Sequence, residues 1–131
     1  MALNSIERDA IVKYRIERAN EALREAEYNF AGKFYNLTAN RLYYACFYAC
    51  QALLIKNGIS PNSHQGVFRM ISLHFVNTQK LDRNDALMVK TFFKMRQSGD
   101  YDDMFDWTKE ELEPLIPEAK KLIERILLLL R

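Results

Sequence analysis

The chain has 131 residues, with 19 Lys and Arg against 17 Asp and Glu, and a net charge of +2. That length supports a single domain, residues 1–131, around one core; 49% hydrophobic and 27% charged residues exclude a disordered or fibrous chain. So small a net charge also excludes a polyanion binder held by bulk electrostatics, so any nucleic-acid contact must be a local patch.

Helix signals run through the whole sequence. Asn4 or Ser5 caps a first helix that reaches about Phe30, with Ile11, Tyr14 or Arg15, Ala19, Ala22, Ala26 and Phe30 at helical spacing. Ala31-Gly32-Lys33 ends it. A second helix spans roughly Tyr35 to Asn57 and closes at Gly58, which suits the positive φ of a helix C-terminus. Its stretch from Asn40 to Ile55 is apolar nearly all round, so this helix is expected at the centre. Cys46 and Cys50 lie one turn apart on it, a geometry that disfavours a disulfide. With no second pair for zinc, they are expected as buried thiols.

The link from Ile59 to His64 is rich in turn and cap residues and opens a short third helix, about His64 to Phe75. The fourth helix, capped by Asp82, runs from about Arg83 to Ser98, where Gly99 suits a stop. After a turn over 96–106, Thr108 and Glu111 form a capping-box pattern for a fifth helix reaching Leu130. Pro114, beyond its first turn, bends or restarts it. The expected fold is all-α, an antiparallel up-and-down bundle of four long helices plus one short one. The N-terminus offers no apolar signal core, and the longest apolar run, Ile126 to Leu130, is too short to span a membrane. A cytoplasmic protein is the expectation.

Some polar residues exceed what such a bundle needs. Arg96-Gln-Ser-Gly-Asp100-Tyr101 combines a guanidinium that can grip phosphate, an acid and a ring. It suits a nucleotide or RNA contact, and equally a turn pinned by an Arg96–Asp100 pair. Arg41 shares a helix face with Leu37, Tyr44 and Tyr48 and needs a partner there, either Asp100 or Asp102 or a bound phosphate. His64 falls in the first turn of the third helix, where free backbone N–H groups disfavour a cationic ring; it can serve as base, donor or cap. His74, between Leu73 and Phe75, reads as packing. Tyr43, Tyr44, Phe47 and Tyr48 read first as core and second as base-stacking rings. The sequence has no Gly-rich phosphate loop and no His-Glu-x-x-His, and Asp102-Asp103 could hold a divalent ion only weakly. Neither a metal nor a cofactor is expected.

Three pieces in register with the helices are together more specific than any one. They are Asn40-Arg-Leu-Tyr-Tyr44 in the second helix, Ser63-His-Gln-Gly66 opening the third, and Arg96-x-x-x-Asp100-Tyr101 after the fourth. In that order they resemble the HEPN domain (higher eukaryotes and prokaryotes nucleotide-binding), in its small single-domain prokaryotic form, over about Ser5 to Leu130. The resemblance implies a homodimeric helical bundle that gathers motif residues in a cleft. It also implies a neighbouring minimal nucleotidyltransferase, as in a toxin–antitoxin-like pair. Many HEPN proteins cleave RNA without metal, using an Arg followed four to six residues later by a His. The 2′-OH attacks its own phosphate, the Arg steadies the charge, and the His moves protons. This sequence departs from that pattern: no His follows Arg96 within six residues, and Tyr101 stands five later. In some relatives a Tyr near the motif is adenylylated by the partner, a role that would fall to Tyr101. The resemblance therefore implies nucleotide or RNA binding by Arg41, His64, Arg96, Asp100 and Tyr101 without the intact ribonuclease motif. The alternatives are a ribonuclease that pairs Arg96 with His64, and a non-catalytic dimer module in which Arg41, Arg96 and Asp100 form an ion network.

Overall fold

Helix α1 (Ser5–Ala31) begins where the Asn4 side-chain oxygen accepts the Glu7 backbone N–H at 2.8 Å, which satisfies one of the four donors a helix start leaves open. The computed structural model describes residues 4–101 and 106–131, with 96–101 described by their backbone alone. Helix α2 (Tyr35–Lys56) follows a tight turn. Helix α3 (His64–Ile71) passes into a π-helical turn over Ser72–Val76. Then come α4 (Arg83–Tyr101), α5 (Lys109–Leu112) and α6 (Leu115–Leu128), with no strand among the described residues.

The two ends around the first connection are closed by the same device with different residues. After α2, Gly58 takes φ 77° while its N–H reaches Ile55 O at 3.0 Å and the Ile59 N–H reaches Leu54 O at 2.9 Å. After α1, Gly32 stays right-handed, and the left-handed residue is Lys33, φ 66°. The Phe34 N–H then reaches Asn29 O at 2.8 Å. A residue with a Cβ pays about 1–2 kcal/mol in that conformation.

Helix α2 lies at the centre, as its composition requires. It packs against α1, α3, α4, α5 and α6. Leu42, Ala45, Cys46, Ala49, Cys50, Leu53 and Leu54, facing around the helix, are all fully buried. Both thiols are free and buried, and the Cys46 thiol is pushed well up by its hydrogen bond with Cys50 and by burial. Ion pairs at the rim record the antiparallel directions. Lys56 meets Asp9 at 3.4 Å and Arg41 meets Glu25 at 3.3 Å, so α2 runs back along α1. Lys120 of α6 meets Glu27 at 2.8 Å. At the start of α4, Asp82 and Asp85 cap each other's backbone N–H at 2.8 and 3.1 Å, and Arg125 of α6 reaches both carboxylates at 3.1 Å. The cap's backbone bond lowers the Asp82 pKa, while burial raises that of Asp85.

Two expectations change, over Gly99 and His74. Helix α4 continues through Gly99 to Tyr101, so Arg96–Tyr101 forms its last turns rather than a loop. An interior Gly is only about 1 kcal/mol worse than Ala, too little to end a helix by itself. The fifth helix divides at Glu113 and Pro114 as expected, because Pro has no N–H to continue the ladder, and the Thr108–Glu111 capping box starts α5 as its sequence requires. His74 is exposed and does not pack; its neighbour Phe75 is buried, since adjacent helical positions point apart.

Replacing Lys33 with Gly relieves the left-handed strain. Lys33→Gly is expected to raise unfolding free energy by about 1 kcal/mol, read as a higher denaturant midpoint with unchanged slope.

Candidate functional site

The turn before α3 is built to hold His64 in place. Ser63 caps the helix, its hydroxyl accepting the Gly66 N–H at 2.9 Å. A Cβ on Gly66 would stand 3.0 Å from Pro61 Cβ and 3.1 Å from Ser63 Oγ, so only Gly lets the Pro61 loop close over the first turn. This explains the Ser63-His-Gln-Gly66 motif in packing terms. His64 follows the cap directly and turns its ring onto α2.

There the imidazole is fixed by rings. It stacks on Phe47 with centroids 4.4 Å apart and planes within 7°, and lies nearly parallel to Tyr43, 5.7 Å away. His64 Nδ1 and the Tyr43 hydroxyl share a hydrogen bond. Tyr43 is 1% exposed, so this phenol is a buried polar group whose hydroxyl requires such a partner. Phe93 of α4 closes the group, edge-on to Tyr43 at 5.5 Å and tilted against Phe47 at 6.0 Å. Arg96 comes one turn after Phe93 on α4. The backbone therefore carries Arg96, Asp100 and Tyr101 along the end of a helix whose preceding turn touches the rings around His64. The side chains of Arg96, Asp100 and Tyr101 lie outside the described residues, as does the pair Asp102-Asp103.

Arg41 is held on the other flank. Its guanidinium lies over Tyr44, 5.0 Å from the ring centroid, donates to Asn40 Oδ1 at 2.6 and 3.1 Å, and pairs with Glu25 of α1 at 3.3 Å. The carboxylate described beside it is Glu25; the expected partners Asp100 and Asp102 have side chains outside the described residues. Tyr44 in turn meets Tyr43 edge-on at 4.8 Å, which links Arg41 to His64 through two rings. Sequence reasoning placed Tyr43 and Phe47 in the core and missed that they orient His64. Their spacing on α2 fits either role, and only the approach of α3 separates them. Among the described residues no group of three His, Cys, Asp or Glu could hold a metal ion.

A family model described as the HEPN domain matches residues 12–129. The chain belongs to the HEPN family. Among relatives of this HEPN protein, "Putative toxin MJ0142" of Methanocaldococcus jannaschii is 35% identical over 101 residues, 77% of this chain and 69% of its own length. "Putative toxin MJ0605" of the same organism is 34% identical, over 85% of this chain and 82% of its own length. A "UPF0332 protein" of Thermotoga maritima is 30% identical, over 92% of this chain and 91% of its own length. The helical bundle and the three motifs agree with that membership.

The shared proton sits either on the phenol, which leaves Nε2–H on the ring, or on Nδ1, which leaves the Nε2 lone pair free. Imidazole nitrogen shifts by NMR should show a single one of these tautomers. Tyr43→Phe should leave a folded protein, about 1 kcal/mol less stable, in which the tautomers mix. An unchanged His64 spectrum in the variant would mean that the hydroxyl does not set the ring.

Proposed function

We propose that this HEPN protein binds RNA or nucleotide phosphate beside His64 and acts as the toxin-like member of a pair with a minimal nucleotidyltransferase. The observation that carries the reading is the ring-held His64 next to the turn of α4 that leads into Arg96, Asp100 and Tyr101. In it Arg96 and Arg41 take phosphate, Asp100 orients a guanidinium, and Tyr101 stacks or donates. The names of two relatives as putative toxins support the toxin-like part. The protein works as a homodimer in the cytoplasm, where RNA and its partner are found. Half-exposed Leu37 and Leu128 supply apolar surface for a second copy, and no described helix is long and apolar enough to cross a membrane.

One observation favours a second reading, metal-independent RNA cleavage. In this reading Nδ1–H donates to the Tyr43 oxygen, which fixes the ring and leaves Nε2 with the lone pair a general base needs. His64 would take the 2′-OH proton as that oxygen attacks the adjacent phosphorus. The imidazolium would return that proton to the departing 5′-oxygen, giving a 2′,3′-cyclic phosphate and a 5′-hydroxyl, while Arg96 neutralises the phosphorane.

The test uses purified protein, single-stranded RNA and a chelator. Arg96→Ala is expected to remain folded and to lose about tenfold or more in affinity, the value of one charge-assisted phosphate contact. Unchanged binding would remove Arg96 from the site. Cleavage lost in both His64→Ala and Arg96→Ala would establish the second reading, and intact RNA with the wild type would exclude it.

A further inference from the structure

Where α1 lies on α2, cations gather over two tyrosines in an arrangement the bundle itself does not need. Arg15 and Arg18, one turn apart on α1, both approach the Tyr48 ring, with Cζ 5.9 and 5.5 Å from its centroid. Arg15 also lies 5.7 Å from the Tyr14 ring. One turn back along α2, Tyr44 stands 5.7 Å from Tyr48 and carries Arg41. Three guanidiniums thus share one tyrosine platform. The carboxylates beside them are Glu21, 3.5 Å from Arg18, and Glu25, 3.3 Å from Arg41. Among the described residues Arg15 has no carboxylate partner, and its Nε is shut off from solvent without an acceptor.

Such a cluster opposes folding unless something answers it. Like charges over one ring repel each other, and a buried N–H without an acceptor loses the hydrogen bond it made with water. A guanidinium lying on a ring keeps its in-plane N–H edge for a forked acceptor, and phosphate fits that fork. The cations are strung along Tyr48 and Tyr44 instead of focused on one point, and no Gly-rich loop cups a terminal phosphate. That layout matches a chain of phosphates better than a single nucleotide.

We infer that Arg15 and Arg18, seated on Tyr48, form a phosphate-binding site for the backbone of single-stranded RNA that continues past Arg41 toward His64. The inference deepens the RNA-binding reading above and rests on it. It assigns to α1 a role that neither the motifs nor His64 suggest.

The test measures affinity for a single-stranded RNA oligonucleotide across a salt series, for wild type and Arg15→Gln/Arg18→Gln. The double variant is expected to bind at least tenfold more weakly at low salt. Its plot of log affinity against log salt should be shallower by about 1.4, the counterion release of two single-strand phosphate contacts. Arg15→Lys/Arg18→Lys, which keeps charge but loses the fork, should restore the slope and only part of the affinity; a matching far-UV spectrum establishes the fold of each. A slope unchanged in a folded double variant overturns the site and leaves the His64 reading standing. Wild type that binds no RNA overturns both. An AMP or ATP titration weakened in the variant as much as RNA, with no gain from oligonucleotide length, would replace the strand by a mononucleotide. A loss of dimer with RNA binding intact would make the face a self-interface and also overturn the site.

Discussion

A helix packed against five others sets the terms for everything around it, and α2 is that helix. Its small residues, Ala39, Ala45, Ala49 and Ala52, and the two cysteines are fully buried. A bare buried donor or charge costs several kcal/mol, so the polar groups of α2 mostly find partners inside the protein, the buried Gln51 Oε1 having none among the described residues. Thr38 answers by donating to Phe34 O at 3.0 Å. Tyr43 answers through His64, and Arg41 through Asn40 and Glu25. The candidate site and the arginine face are therefore two consequences of one constraint, on opposite flanks of the same helix.

The surrounding helices meet that constraint with local chemistry. Caps at Asn4, Ser63 and Thr108 fix where α1, α3 and α5 begin, and the reciprocal Asp82–Asp85 cap joined to Arg125 ties α4 to the end of α6. In the function proposed above, the cap at Ser63 matters most. It starts α3 at His64, so the ring is set by a helix start on one side and by stacked aromatics on the other. Rigid elements place side chains more accurately than loops do, and a site that must orient an imidazole benefits from both.

Much of the bundle was legible in the sequence, because its signals are local. The Asn4 cap, the Gly58 ending, the Thr108–Glu111 box and the all-round apolar run of α2 each predicted what the structure shows. The misses also share a cause. Gly99 was read as a stop, but one glycine does not outweigh a continuing hydrogen-bond ladder. Lys33 took the left-handed position next to a glycine that could have taken it. Within the site, motif and spacing picked out His64 and Arg41, while their partners Tyr43, Phe47 and Glu25 depend on contacts between helices, which no periodicity encodes. Arg15 was read as an alternative to Tyr14 on the apolar stripe; its position over Tyr48 appears only once α1 and α2 are laid together.

Family membership fixes the scaffold, and the residues of this chain fix what it does with it. The His that many HEPN proteins carry after the motif arginine is absent here, yet an imidazole stands beside the same helix, brought from α3 and oriented by a phenol. That substitution in space is the central claim. It is tested most directly by titrating isotope-labelled protein with a short single-stranded RNA while following the His64 ring signals and the α4 backbone amides. Saturable shifts of His64 together with the amides around Arg96 to Tyr101 are the expected result. Saturation of binding with both sets of signals unmoved would contradict it.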